Sequence, residues 1–299
     1  MPKHLFRPWG ILLVLCLATT PLRAEPPIPF EQETLPNGLR VIYAPMRQAP
    51  VVHVRVLYHV GSRDERPDRQ GFAHMFEHMM FRGSRHVASE QHMKLIQAVG
   101  GVSNAFTSFD QTVYINTVPA NHTRMALYLE ADRMADFRVT EEIYQIERRV
   151  VAEEWGRKQN QPYGTVFEDF LRTAVTKHSY RWTPIGDMGH LRAAPVEELQ
   201  DFYNAYYVPN NAVLVVAGDI DVEQCRGWVR DYFGWIPRGA DPPRPIPAEP
   251  QQDGARRIEI ARPVPLPMVR IGYVLPPYRW DDHLALGLVG NILGSGSSS

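Results

Sequence analysis

The feature that most constrains this 299-residue chain is the segment His-Met-Phe-Glu-His at positions 74–78. If the segment is helical, His74 and His78 stand one turn apart on one face, and Glu77 lies on the same side. Two neutral imidazoles at this spacing can share one Zn²⁺ ion, and a carboxylate beside them can take a proton from metal-bound water. The flanking residues predict a helix of about four turns. The simpler interpretation is an amphipathic helix with two unremarkable histidines.

The composition is that of an ordinary soluble globular protein, with 44% hydrophobic and 22% charged residues. The formal net charge is -1, so there is no basic surplus of the kind that binds nucleic acid. The length allows more than one domain. We therefore expect no nucleic-acid partner and look for function in the local motifs.

Residues 1–24 have the pattern of a secretory signal peptide. Lys3 and Arg7 form a basic start, residues 9–18 are apolar, and a small residue, Ala24, precedes the expected cleavage point. The apolar run is too short for a comfortable membrane span. We therefore expect secretion across the inner membrane into the periplasm, with no stable membrane span in the mature chain. A membrane anchor formed by an uncleaved N-terminal segment is the alternative.

Strand and helix patterns alternate through residues 25–237, which we assign to one metal-binding domain. Strands are expected at 39–44, 51–60, 102–108, 112–118 and 211–218. Further helices are expected at 89–99, 121–137, 140–160, 166–176, 195–206 and 222–233. This order predicts an α+β fold in which a layered antiparallel or mixed sheet packs against helices.

A proline-rich stretch at 238–254 predicts a linker. The residues after it, 255–299, look like the beginning of a second copy of the first domain. Two short segments recur in the same order: 38–44 as 254–260, and 54–56 as 269–271. We therefore expect a second, homologous domain to begin after the linker.

This second copy is expected to contain strands between 256 and 275 and a helix at about 281–293. The helix carries no glutamate, so this domain would not bind zinc through the same motif. A domain that ends after one helix cannot close its core. We therefore expect the second domain to be truncated within the Gly/Ser segment that ends at Ser299.

The zinc site needs a third protein ligand, because catalytic zinc sites generally have three. On the predicted helix 140–160, Glu147 and Glu154 fall on one stripe with apolar residues such as Val150. Carboxylates on a core-facing stripe are costly to bury without a partner, and a metal ion would supply one. Glu153 points about 100° away from Glu154. This geometry favours Glu154 as the third ligand and leaves Glu153 as the alternative.

Together these segments resemble the pitrilysin/insulinase family of inverted-zincin metallopeptidases, and most of all its branch of mitochondrial processing peptidase and bacterial relatives. Glu154 lies 76 residues after His78 (154 minus 78) and Glu147 lies seven residues before Glu154, which matches the family's spacings. The resemblance implies one Zn²⁺ per chain, held by His74, His78 and Glu154. It also implies that Glu77 is the general base and that Glu147 supports the site.

The segment Asn104-Ala105-Phe106-Thr107 resembles the edge strand on which these enzymes hold their substrate. An ordinary edge strand is the alternative interpretation. The resemblance implies a zinc-dependent endopeptidase that cleaves peptides or unfolded protein segments by glutamate-assisted attack of zinc-bound water. A non-catalytic scaffold or assembly subunit of the same fold is the competing function.

The resemblance also implies that a catalytically silent half faces the active half across a cavity. An Arg and a Tyr of that half, which bind substrate in the family, would lie beyond Ser299. The missing enclosure would then come from the continuing chain or from a homo- or hetero-dimer with a related subunit.

Overall fold

The computed structural model describes residues 28–137, 139–275 and 282–294. The expected signal peptide at 1–24 lies outside these residues. Within the described ranges, no helix combines the length and the apolarity that crossing a bilayer requires.

Six strands of the described chain form one mixed sheet. They are β1 (Glu31–Thr34), β2 (Arg40–Pro45), β3 (Val51–Tyr58), β4 (Val102–Thr107), β5 (Thr112–Pro119) and β6 (Ala212–Gly218). Their spatial order is β1-β2-β6-β3-β5-β4. The β2–β6 pair is parallel and the other pairs are antiparallel. The predicted α+β fold with a mixed sheet is thus confirmed.

The α-helices of the described chain are α1 (Phe72–Met79), α2 (Gln91–Ala98), α3 (Thr123–Ala135), α4 (Glu141–Asn160), α5 (Val166–Ala174), α6 (Met188–Ala193), α7 (Val196–Tyr206), α8 (Val222–Phe233) and α9 (His283–Gly294). Helices α1 to α7 lie in the connections between these strands, and α8 and α9 follow β6. Helices α1 and α3 both pack against β5. The core therefore lies between the sheet and the helical layer.

Alternation along the strands explains why the helices cover one face of the sheet. In β3, Val52, Val54 and Val56 are fully buried, whereas His53 and Arg55 between them are partly exposed. Successive strand residues point to opposite faces, so an apolar residue at every second position directs one face to the core.

The helix that carries the two histidines is shorter than expected, because α1 has eight residues and not about four turns. Gly71, directly before it, has a φ of 97°, a left-handed conformation that stops the helix from extending toward the N-terminus. The Glu65 carboxylate accepts the backbone N–H of Gly71 and of Ala73 at 2.9 and 3.0 Å. These bonds satisfy two donors of the first turn and fix where α1 begins.

Two elements had no sequence prediction. Strand β1 has the sequence Glu-Gln-Glu-Thr, which lacks apolar alternation and forms through pairing with β2. Helix α6 has six residues and begins where the Asp187 carboxylate accepts the N–H of Gly189 and His190. Both elements depend on local caps or tertiary pairing and not on periodicity.

The proline-rich stretch at 238–254 lies against the first domain. Arg244 donates to the carboxylate of Asp64 and to the side chain of Asn211, at 2.6 and 2.8 Å. The Glu249 carboxylate accepts three successive backbone N–H groups, those of residues 176–178, at 2.8 to 2.9 Å. This part of the chain is therefore held at two points and is not a free tether.

The strands expected between 256 and 275 are absent, so that prediction is wrong for the described chain. The segment lies against α5 and the turn before it. Arg256 donates to the carbonyl of Ala174, at the end of α5, at 2.6 Å. The hydroxyl of Tyr163, just before α5, donates to the carbonyl of Leu266 and accepts from its N–H. A strand needs a neighbour to complete its hydrogen bonds, and none of the described residues offers one here. Helix α9 matches the expected helix at about 281–293.

Candidate metal centre

Helix α1 presents its polar face because its other face is locked into the core. Met75, Phe76 and Met79 are fully buried. The Tyr114 hydroxyl, from β5, donates to the Phe76 carbonyl at 2.9 Å, and the Tyr207 ring lies 5.1 Å from the Phe76 ring. The remaining face carries the two histidines and Glu77 toward a cleft.

The structure brings together the three side chains that the sequence favoured as ligands. The Nε2 atoms of His74 and His78 each lie 3.6 Å from Oε2 of Glu154. The ligand atoms of the three residues all lie within 4.8 Å of one another, and the two imidazole rings are nearly perpendicular, at 79°. Two imidazole nitrogens and one carboxylate oxygen form a donor set used by catalytic zinc sites. The cluster therefore fits a zinc ion.

Helix α4 supplies Glu154, though its buried stripe differs from the expected one. Its buried residues are Tyr144, Glu147 and Val151, whereas Val150, expected to face the core, is 37% exposed. The buried face is rotated by one residue, so Glu154 continues it one turn beyond Val151. The alternative ligand, Glu153, points into solvent and is not among the three converging residues.

Glu147 lies behind His78, on the side away from Glu154. Its Oε2 is 3.2 Å from His78 Nδ1, and its Oε1 accepts a hydrogen bond from Arg82 Nε. Burial alone would raise the pKa of Glu147, but His78 and Arg82 outweigh it and lower that pKa. An ionised Glu147 accepts a hydrogen bond from the Nδ1–H group of His78, which turns Nε2 of the ring toward Glu154.

The pKa values of the two histidines are shifted in opposite directions. Burial, with the nearby charges of His78 and Lys158, lowers the pKa of His74 to about 4. Burial also opposes protonation of His78, but the carboxylates of Glu147 and Glu154 outweigh it and raise its pKa to about 9. His78 in turn lowers the pKa of Glu154. Of His74, His78 and Glu154, the group that is protonated near neutral pH without a metal ion is therefore His78.

Glu77 lies beside the cluster and lines the same cleft. Burial raises the pKa of its carboxyl above the ordinary value, although Thr107 and His78 oppose part of the rise. A carboxyl group with a raised pKa is better suited to accept and return a proton near neutral pH. The position of Glu77 in the cleft and the direction of its pKa shift both suit a general base.

The cleft has a volume of about 320 Å³, and its lining includes Phe106 and Thr107 from β4. Asn104 and Ala105 lie earlier on the same strand, paired with β5. Strand β4 is at the end of the sheet order, and no described strand pairs with its outer edge. The C-terminal end of the expected substrate strand, Phe106 and Thr107, thus lines the cleft of the candidate metal centre.

Sequence reasoning missed two basic residues of this site. Arg82 pairs with Glu147, and Lys158 lines the cleft while its Nζ donates to Glu168 at 2.6 Å. Each follows a candidate ligand by four residues, Arg82 after His78 and Lys158 after Glu154. That one-turn spacing was a usable signal.

A partly exposed cluster of two histidines and a glutamate, on helices packed against a mixed sheet, is an arrangement found in zinc metallopeptidases. Comparison with known proteins supports this class. The family profile described as "Insulinase (Peptidase family M16)" matches residues 40–186. A second profile, "Peptidase M16 inactive domain", matches residues 194–299 and so includes β6 of the sheet.

Individual relatives agree with the family profiles. The zinc protease PqqE of Helicobacter pylori is 36% identical over 305 residues, which cover 99% of this chain and 68% of that protein. An uncharacterised zinc protease of Mycobacterium tuberculosis is 31% identical, covering 89% of this chain and 61% of its own length. The solved structure of a protease from Helicobacter pylori superposes with a TM-score of 0.73 at 36% identity, covering 76% of this chain and 56% of that one.

The chain therefore belongs to the insulinase family of zinc proteases, peptidase family M16. It spans about three fifths of the length of these relatives, between 56% and 68%.

Proposed function

We propose that this chain carries the metal-binding half of a zinc-dependent endopeptidase, with one zinc ion per chain. His74, His78 and Glu154 would hold the zinc, Glu77 would act as general base, and Glu147 would support His78. The observation that carries the proposal is the convergence of the three ligand atoms within 4.8 Å, with a carboxyl of raised pKa beside them.

The chemistry divides between the metal and this chain's own side chains. A zinc ion in such a site supplies Lewis acidity, which polarises a carbonyl oxygen and makes water more acidic. Glu77 accepts a proton from the attacking water and later delivers it to the amine of the departing peptide fragment. Glu147 keeps the Nδ1 proton of His78 in place throughout.

The substrate in this proposal is an extended peptide or an unfolded protein segment. It would add to the free edge of β4, where backbone groups of residues 104–107 bind it without reading its sequence. Phe106 and Thr107 line the metal cleft, so a peptide on this edge would pass beside Glu77. This geometry favours cleavage within a chain over removal of a terminal residue.

Location and assembly follow from the sequence patterns. The pattern of residues 1–24 supports export to the periplasm, with an uncleaved anchor as the alternative. Residues 25–237 would form the metal-binding domain, 238–254 the linker, and 255–299 the beginning of a second domain without zinc ligands. That second domain, or a homo- or hetero-dimer with a related subunit, would complete the enclosure around the cleft.

The test is Glu77→Gln in a chain extended to the full length of its relatives. The substitution removes the base but no proposed ligand, so zinc should bind with unchanged stoichiometry while peptide cleavage falls by at least about 100-fold. Zinc content by atomic absorption and cleavage of a quenched fluorescent peptide measure the two effects. Cleavage that survives the substitution contradicts the assigned base.

The same experiment separates the competing function. A non-catalytic scaffold or assembly subunit would show no zinc-dependent cleavage in the unsubstituted protein, and Glu77→Gln would then change nothing. The convergent ligand set favours the enzyme, because a scaffold has no need to keep two histidines and a glutamate together.

A further inference from the structure

We propose that Arg82 is a positioning residue of the metal centre, acting on His78 through Glu147 and fixed in turn by Glu90. This inference rests on the proposed function for its setting, since it concerns how the same site is held. It adds a guanidinium and a surface carboxylate to the groups that the motif contains.

The first contact joins Arg82 to the buried carboxylate. Arg82 Nε donates to Glu147 Oε1, while Glu147 Oε2 lies 3.2 Å from His78 Nδ1. The Glu147 side chain is only 4% exposed, so its carboxylate depends on these two partners and not on water for its hydrogen bonds. A buried carboxylate held from both sides has one orientation, and that orientation sets the plane of the His78 ring.

The second contact fixes Arg82 itself. Its Nη1 donates to Glu90 Oε1 at 3.0 Å, so one guanidinium bridges a buried and a surface carboxylate. Glu90 also accepts from Lys94 Nζ at 3.2 Å. Lys94 therefore steadies the outer carboxylate of this bridge.

The backbone at Glu90 supports the same interpretation. Glu90 precedes α2 with a φ of 62°, a left-handed conformation that a non-glycine residue adopts only where its surroundings hold it. Its N–H donates to the Phe81 carbonyl at 3.3 Å, which ties it to the residue before Arg82. The start of α2 is thereby attached to the end of α1, close to His78.

The role calls for arginine and not for positive charge alone. A guanidinium is planar and presents donors in fixed directions, so it can reach Glu147 through Nε and Glu90 through Nη1 at once. A lysine ammonium could pair with Glu147 but would not bridge both carboxylates from the same place. Charge and geometry can therefore be tested separately.

The experiment compares Arg82→Gln, Arg82→Lys and the matched control Arg85→Gln. Arg85 lies in the same loop, its side chain is 63% exposed, and its Nη1 lies 3.7 Å from Asp136 Oδ2. The control substitution therefore removes a nearby arginine that does not pair with Glu147. Zinc dissociation constants come from chelator competition. The visible spectrum of the cobalt-substituted protein and the ¹⁵N shifts of His78 in the metal-free protein report the ring directly.

We expect Arg82→Gln to weaken zinc binding about 10- to 100-fold, to alter the cobalt spectrum and to shift the His78 nitrogens. Arg82→Lys should restore part of the affinity, and Arg85→Gln should match the unsubstituted protein. Unchanged zinc affinity and His78 shifts in Arg82→Gln would overturn the proposal. Full rescue by lysine would overturn the bridging role of Glu90.

A surface variant keeps the proposal testable if Arg82→Gln fails to fold. Glu90→Gln leaves the Arg82–Glu147 pair intact, and it should shift the His78 nitrogens in the same direction by a smaller amount. No shift would contradict the proposal. Failure of this inference can be told apart from failure of the proposed function. If Arg82→Gln weakens zinc binding but the unsubstituted protein cleaves no peptide, only the proposed function is contradicted. If cleavage depends on Glu77 but Arg82→Gln binds zinc as the unsubstituted protein does, only the role of Arg82 is contradicted.

Discussion

The two histidines of the metal centre lie one turn apart on the same helix, yet their surroundings differ. His78 faces the Glu147 carboxylate at 3.2 Å, which Arg82 holds from the other side. The Nδ1 atom of His74 is buried and has no hydrogen-bond partner among the described residues. One proposed ligand, His78, is therefore oriented by a charged network, and the other, His74, by the packing of α1.

If His74 and His78 hold the metal as proposed, the fold orients the two ligands by different means. The network around His78 fixes the imidazole ring. It also stabilises the protonated form, so the pKa of His78 rises to about 9. Burial lowers the pKa of His74 to about 4, so this ligand is neutral and needs no deprotonation. Orientation of one ligand is thus obtained at the cost of a proton that zinc must displace.

The largest expected effect comes from the residue that both histidines share. Glu154→Ala removes the oxygen that lies 3.6 Å from each Nε2, so it should weaken zinc binding by at least about 100-fold, beyond the usual loss for an outer partner. Metal titration with a chelator measures the change. Glu153→Ala is the control, since that side chain points into solvent. Equal zinc affinity in both variants would show that Glu154 is not the third ligand.

The next effect is confined to the His78 side. Glu147→Gln removes the charge that holds the Nδ1 proton, and we expect zinc affinity to fall about 10- to 100-fold. Because the carboxylate also stabilises imidazolium, the His78 pKa should drop toward its ordinary value while the His74 pKa stays low. Histidine ¹H–¹⁵N spectra of the metal-free protein measure both. Matching changes at the two histidines would contradict the difference between His74 and His78.

A smaller effect follows from the two pKa values. At pH 7 His78 binds a proton in the metal-free protein and His74 does not, and Glu154 is already ionised because His78 lowers its pKa. Zinc requires neutral imidazoles, so binding should release about one proton at pH 7, and affinity should rise about tenfold per pH unit up to about pH 9. Calorimetry in buffers of different ionisation enthalpy counts the proton. Release of none, or of two, would remove the distinction between the histidines.

Much of this centre could be predicted from sequence because helical geometry is local. The spacing of His74, Glu77 and His78 places all three on one side of a helix. The preference for Glu154 over Glu153 came from the stripe of α4, even though Val150 proved to be exposed. The stripe argument tolerated a rotation of one residue because Glu154 is adjacent to the buried Val151 in the helical net.

The supporting network could not be predicted in the same way. Arg82 and Glu147 are 65 residues apart in the chain, and no periodicity indicates that they meet. The left-handed backbone of Glu90 breaks a local preference, so it becomes apparent only in three dimensions. The prediction of strands between 256 and 275 was wrong for a related reason. Composition indicates which residues suit a strand but not whether a partner strand lies alongside.

The smallest expected effect on the metal comes from a second cation with the same spacing. Lys158 follows Glu154 by one turn, as Arg82 follows His78, but it donates to Glu168, a carboxylate that also accepts from Thr183 and touches neither histidine. Lys158 acts on His74 through its charge alone and is the smallest cause of the lowered pKa of His74, so Lys158→Gln should leave zinc affinity close to that of the unsubstituted protein. It should lower the free energy of unfolding by about 1–3 kcal/mol, because the buried Glu168 loses a charged partner. Chelator competition and urea unfolding measure the two quantities.

The contradicting outcome is a loss of zinc affinity in Lys158→Gln as large as that in Arg82→Gln. It would show that any nearby cation supports the site, and that contact through Glu147 is not what distinguishes His78 from His74.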